Sequence, residues 1–290
     1  VHLFRTIDST RLNRLRFCLG RMGLPLTCVT LSGCTVDEML KDAARATAVG
    51  ADLVEVRLDK LWVVKQQPEP VEQIIPTPNK PRPRPVYVAP EFTPQPMDSV
   101  DLDSAIISFK TGIELPVIMT CRSNHHDGYF PGSEEERIEV LTKAIKSGVS
   151  WVDLEIDIDS KVRKKLMKLA GKNTSIVASL HSDASVFSSD EIIQEVEENQ
   201  SAGEVIKMCF KSTGKNDGLR IFKAAWNFKE SEIKTAIMGS GLGGDWSRIH
   251  APLLGQYLVY TTMETGWHLS QEGRINASDL KTAWKLLEYS

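Results

Sequence analysis

The sequence predicts an α/β chain closed into a (β/α)8 TIM barrel that carries a proline-rich insertion. Three features support this. Eight short strand-like runs alternate with longer segments, most of them amphipathic, the pattern of parallel β/α units. The 290 residues, 41% hydrophobic and 25% charged, can bury a core and suit a single barrel of about 250 residues. No G-x-G-x-x-G follows the first run, where Leu31-Ser-Gly-Cys-Thr35 stands, so the competing open doubly wound sheet lacks its usual signature.

Residues 1–24 are basic and precede the first strand; they read as a tail from a preceding domain, with the barrel occupying 25–290. Leu26–Leu31 is the first strand, and the helix after it runs from about Asp37, as its cap, to Val49. Asp52–Arg57 is the second strand. Between Gln66 and Met97 lie ten of the fourteen prolines, including the run Pro81-Arg-Pro-Arg-Pro85. Proline lacks the amide donor and forces its predecessor extended, so 66–97 is expected to be an exposed insertion, partly polyproline II and mobile. A tolerated loop explains it better than a docking ligand for a proline-recognising partner. A helix follows near Leu102–Lys110, then the third strand Val117–Cys121, its helix Ser133–Ser147, and the fourth strand Trp151–Ile156. Ser175–Leu180 and the helix Ser189–Gln200, Glu204–Cys209 and the helix Asn216–Trp226, Thr235–Met238, Gln256–Thr261 and a last helix Ala277–Glu288 complete the barrel.

The net charge of -3 provides no basic footprint, so no direct contact with nucleic acid is expected. No run approaches the roughly 18 apolar residues of a membrane span, and the N-terminus has no apolar signal core. The expected setting is intracellular, cytoplasm or nucleus, with no membrane partner. Five cysteines without paired spacing favour neither a disulfide framework nor a zinc site.

Barrel interiors are normally apolar, and the active site sits at the C-terminal strand ends. Here Glu55 and Arg57 share one face of the second strand, as Asp153 and Glu155 do on the fourth, because residues two apart point the same way. On the sixth strand Lys207 alternates with Ile206 and Met208; if those pack against helices, the lysine points inward. Arg122 follows the third strand, His181 the fifth, and Ser247-Arg248 the glycine-rich turn after the seventh. Each charge alone suits a structural ion pair. Several buried together make sense only if they solvate one another or a polar ligand. The arginines suit an anionic ligand. A lysine in an apolar barrel is expected to lose its charge readily, leaving an amine that attacks a carbonyl and forms an imine. His181 would move protons, its ring oriented by Glu155 or Asp153. The set points to covalent imine chemistry on a small anionic carbonyl compound, with no cofactor. The glycines at 239–244 lack the Lys-Ser/Thr of a P-loop, and His125-His126-Asp127 on one loop is not a metal site, because adjacent histidines need distant co-ligands.

These residues resemble the type I 3-dehydroquinate dehydratase family from about Leu26 to the C-terminus. The resemblance rests on Ala51-Asp-Leu-Val-Glu-Val-Arg-Leu-Asp59, Thr120-Cys-Arg-Ser123, Asp153-Leu-Glu155, Ala178-Ser-Leu-His181, Val205-Ile-Lys-Met208, Met238-Gly239 and Ser247-Arg-Ile249, in that order. It implies a Schiff-base role for Lys207 and proton transfer by His181. It further implies ligand binding by Glu55, Arg57, Arg122, Arg248 and Ser270, with Arg248 on a carboxylate. Two family positions are substituted: His126 stands where an acid or amide is expected, and Arg274 replaces the glutamine of the closing Ser-x-Pro-Gly-Gln loop, here Ser270-Gln-Glu-Gly-Arg274. The Asp-Phe and Thr-Pro expected after His181 are replaced by Ser182-Asp183 and Phe187-Ser-Ser189.

A substituted lid should impair closure more than folding. The chain is accordingly similar to a non-enzymatic relative, the dehydroquinase-like domain of the fungal quinate-pathway transcriptional repressors, which resemble the last three domains of the AROM enzyme. That resemblance implies a fragment of a multidomain chain that senses quinate, dehydroquinate or shikimate and contacts an activator protein. The alternative is an active dehydratase forming 3-dehydroshikimate through the Lys207 imine. A class I aldolase is a third reading.

Overall fold

The computed structural model describes residues 23–66, 88–185 (backbone only for 183–185) and 188–289. The predicted tail therefore lies almost wholly outside the described residues. Eight parallel strands form one sheet in the order β10-β1-β2-β5-β6-β7-β8-β9: β1 (Leu26–Thr30), β2 (Leu53–Arg57), β5 (Val117–Thr120), β6 (Trp151–Glu155), β7 (Ser175–Ser185), β8 (Val205–Ser212), β9 (Thr235–Gly241) and β10 (Leu258–Thr262). The sheet is a nearly closed (β/α)8 barrel. At the seam between β9 and β10 the Tyr257 N–H donates to Thr235 O at 2.9 Å, and the Gln256 amide bridges Ile237 N and Thr235 Oγ1 at 2.6 and 3.1 Å.

Helices cover the outside: α1 (Val36–Ala48), α2 (Leu102–Gly112), α3 (Glu134–Lys146), α4 (Ser160–Ala170), α5 (Ser189–Glu198), α6 (Lys215–Asn227), the short α7 (Trp246–Ile249) and α8 (His268–Gln271), and α9 (Ala277–Leu286). α4, α7 and α8 have no counterpart in the sequence pattern. α4 is rich in lysine, and only Leu166 and Ala170 of it are buried. α1 is capped by Thr35 rather than Asp37: the Thr35 hydroxyl accepts from Glu38 N and the Glu38 carboxylate accepts from Thr35 N. This Thr-x-x-Glu box satisfies two amide donors, whereas Asp37 lies inside the first turn.

Strand alternation separates two layers of core. On β8, Val205 joins Cys28, Leu53 and Ile118 inside the barrel, while Ile206 and Met208 pack among Ile192, Ala224 and Ile237 under the helices. Lys207 therefore points inward. The ends of the 66–97 stretch depart from the expectation of an irregular loop. β3 (Val63–Gln66) pairs antiparallel with β4 (Glu91–Pro94), and Trp62 Nε1 donates to Met97 O at 3.0 Å. Proline is tolerated there because a two-stranded ribbon consists only of edges. The Pro81–Pro85 run lies outside the described residues. Among the described residues no helix is long and apolar enough to cross a membrane.

Candidate active site

The C-terminal half of the barrel interior holds a network of buried charges. Lys207, 3% exposed, places Nζ 3.2 Å from Glu55 Oε1 and 3.4 Å from Asp153 Oδ2, and 3.8 Å above the centre of the Tyr260 ring. Its surroundings are thus not apolar, as the sequence reading supposed; two carboxylates flank the amine. Glu55 also accepts from the hydroxyls of Thr30 (2.7 Å) and Thr120 (3.0 Å). Burial works to raise its pKa, yet Lys207 first, then Arg57 and Arg122, lower it to about 2.

Arg122 follows β5 and is fully enclosed. Its Nη1 donates to Glu155 Oε1 (3.0 Å) and Ser179 Oγ (3.1 Å), and its Nη2 lies 3.4 Å from Asp153 Oδ2. Ser179 in turn donates to Asp153 Oδ1 at 2.5 Å. Glu155 is a hub: besides Arg122 it meets Arg137 of α3 at 2.9 Å and His126 Nδ1 at 3.2 Å, and accepts from Ser123 N at 3.2 Å. Burial opposes its ionisation, but His126, Arg122 and Arg137 together hold the carboxyl well below the usual range. Arg57 forks onto Asp59 at 2.8 and 2.7 Å; Asp59, fully buried, also accepts from the Arg122 and Tyr129 amides at 3.2 Å each.

His181 lies within β7, not beyond its end, and its Nδ1 is buried with no hydrogen-bond partner among the described residues. Neither Glu155 nor Asp153 orients it, contrary to the expectation, because the bonds of both go to arginines, Lys207, His126 and Ser179. Its ring centre lies 6.2 Å from that of His126. Burial, then Arg122, Lys207, Arg57 and His126, push its pKa well below the ordinary imidazole value.

Arg248 on α7 faces the backbone carbonyls of Gly239 (2.5 Å), Gly244 (2.8 Å), Gly273 (2.5 Å) and Tyr260 (3.2 Å). In this structure it clamps the turn after β9 to the segment after β10. Gly241 N donates to Glu272 O at 2.8 Å in the same contact. A Cβ on Gly273 would stand 2.5 Å from Gly241 O, and its φ is +67°, so the close approach requires glycine. Ser270 lies on α8 of this segment; Arg274 pairs with Glu272 (2.9 Å) and Glu264 (3.1 Å) and donates to Thr262 Oγ1 (3.1 Å).

Of His125-His126-Asp127 only His126 joins a cluster of potential ligand atoms, with Glu155 and Asp157, all within 4.8 Å of one another. Arg122 and Arg137 already occupy Glu155, which accounts for the cluster as ion pairs. The barrel thus gathers Lys207, His181, Glu55, Asp153, Glu155, Arg57 and Arg122 at one end. Sequence reasoning gave no role to Asp59, Arg137, Ser179 or Tyr260. Asp59 sat inside the quoted motif, and Arg137 occupied a core-facing helix position where a charge calls for a partner.

A family model described as type I 3-dehydroquinase matches residues 27–290. The chain belongs to the type I 3-dehydroquinase family. It is similar to the 3-dehydroquinate dehydratase of Methanocaldococcus jannaschii, 28% identical over 178 residues covering 60% of this chain and 77% of that one. With the enzyme of the same name from Methanosarcina mazei it shares 23% identity over 257 residues, 87% of this chain and 92% of the relative. Among solved structures, the Clostridium difficile type I 3-dehydroquinate dehydratase with covalent modified comenic acid superposes with a TM-score of 0.71 at 17% identity, covering 91% of this chain and 92% of the other. The dehydroquinate dehydratase and shikimate dehydrogenase of S. pombe AroM gives 0.69 at 22% identity, over 96% of this chain and 47% of that one. These structural likenesses carry the fold.

Proposed function

We propose that this chain binds 3-dehydroquinate and eliminates water from it, forming 3-dehydroshikimate through an imine on Lys207. The observation that carries the reading is the position of the Lys207 amine, inside the barrel between Glu55 and Asp153 and on the strand next to His181. Dehydratases among its relatives support it.

The chemistry follows from these groups. The amine gives up a proton to solvent and adds to the ligand carbonyl, and water leaves as the C=N bond forms. The imine acidifies the neighbouring C–H; neutral His181 accepts that proton, and the β-hydroxyl departs as water when His181 returns it. Hydrolysis frees Lys207 and the conjugated ketone, so the net change is loss of one water. Arg57 and Arg122 supply positive charge to an anionic ring, each already held in place by buried carboxylates.

A second reading is a quinate-pathway regulatory domain that binds the metabolite, contacts an activator protein, and turns over little or nothing. The observation favouring it is the closing segment: Arg274 is tied to Glu264 and Glu272, and Arg248 is engaged with four backbone carbonyls. Dehydroshikimate formation, followed by absorbance at high protein concentration, separates the two. Turnover that vanishes in Lys207→Ala supports the dehydratase. A flat trace, with borohydride still trapping a ligand adduct on Lys207, supports the regulatory domain. No adduct at all refutes the imine on Lys207, and with it the dehydratase.

A further inference from the structure

His126 follows β5 in a single 3-10 turn (Asn124–His126) and lies over the end of β6. Its Nδ1 is 3.2 Å from Glu155 Oε1 and its Nε2 is 3.5 Å from Asp157 Oδ2. Nδ1 meets Glu155 as a charge contact without hydrogen-bond geometry, and a neutral imidazole has no charge to offer either carboxylate. Both contacts are favourable only in the imidazolium. Arg122, also beyond β5, and the neutral His181 ring on β7, its centre 6.2 Å away, complete the surroundings.

We infer that His126 is a positioning residue that acts through charge: held as an imidazolium between Glu155 and Asp157, it adds to the burial and the neighbouring cations that keep His181 neutral and weakly basic, and so favours ligand capture on Lys207 over the later proton abstraction. The inference rests on the reading that Lys207 and His181 act on the ligand. Neutral His181 can take a proton from the imine. The imidazolium thus formed faces Arg122, the Lys207 nitrogen, Arg57 and His126, with no carboxylate contact among the described residues to offset them. The directions agree: contact with Glu155, against burial, raises the His126 pKa, while that of His181 falls. A site of this kind forms the imine readily and abstracts the neighbouring proton slowly, because a histidine whose imidazolium is destabilised is a weak base.

The test uses the full chain with 15N-labelled histidine, following His181 by NMR from pH 5 to 9 in the wild type, His126→Gln, His126→Glu and Asp157→Asn. The signal is assigned by its loss in His181→Gln. Asp157 has a half-exposed side chain, so its variant perturbs the clamp without opening the core. His181 is expected to titrate lowest in the wild type, higher in His126→Gln and in Asp157→Asn, and highest in His126→Glu. Where turnover is measurable, His126→Glu should raise kcat about tenfold, with the low-pH limb of its profile displaced in step with the NMR titration and KM changed less. Coincident His181 titrations in wild type, His126→Gln and His126→Glu would overturn the inference. So would a displaced titration without any change in the kcat profile. If no variant forms an imine, the proposed function falls, while the titration series still decides whether His126 sets the charge of His181.

Discussion

Substituting Glu55 by glutamine tests the electrostatics of the barrel interior quantitatively. Glu55 is 3% exposed, so solvent does little to screen it, and its folded pKa of about 2 stands against an ordinary value of 4.5. At about 1.36 kcal/mol per tenfold change in proton affinity, its ionised form contributes ~3 kcal/mol to stability at neutral pH. Because the folded pKa is depressed, this contribution is complete above 4.5 and is lost as pH falls toward 2; at pH 3 about half remains. Urea unfolding of wild type and Glu55→Gln at pH 7 and pH 3 should show a gap of ~3 kcal/mol that shrinks to roughly half. Lys207→Met removes the principal partner, so the double variant should lose clearly less than the two single losses added together. A gap that does not depend on pH, one below about 1 kcal/mol at pH 7, or strict additivity with Lys207→Met would refute the reasoning.

Three further outcomes follow from the same geometry. Arg137→Met removes the cation 2.9 Å from Glu155 and the donor to Cys121 O, and should cost about 3 kcal/mol in urea unfolding, as breaking a buried pair does. Arg274→Gln cuts two half-exposed ion pairs, so global stability should change by less than about 1 kcal/mol while amide exchange across 268–274 rises several-fold. Thr35→Ala removes the cap of α1 and should lower stability by about 1 kcal/mol, whereas Asp37→Ala should cost no more than a few tenths.

The barrel was legible because strand alternation leaves a direct mark on sequence. Ile206 and Met208 bracket Lys207, and the burial of those two residues under the helices forces the lysine inward. Glu55 with Arg57 and Asp153 with Glu155 were found through the same two-residue spacing. What the sequence hid was partnership across distance. Asp59 holds Arg57 and two amides, and Arg137 reaches Glu155 from a helix, yet nothing local to either residue names its partner. The premise of an apolar lysine failed for this reason: Glu55 is 152 residues away in sequence and 3.2 Å away in space. The carboxylate assigned to His181 failed likewise, because arginines arriving from β5 and α3 claim Glu155 first. Helix α4 escaped notice because two small contacts, Leu166 and Ala170, anchor an otherwise lysine-rich segment. The strand pair at the ends of the 66–97 stretch was masked by its prolines, which the edges of a ribbon tolerate and a central strand does not.

Everything proposed for the site depends on the Lys207 amine being the group that meets the ligand carbonyl. A crystal of the full chain, soaked with 3-dehydroquinate and reduced with borohydride, shows directly whether it does. The expected result is density continuous from Lys207 Nζ to a ring carbon, lying between Arg57, Arg122 and His181. Ligand density that stops short of Lys207, or a reduced adduct on any other lysine, would contradict it.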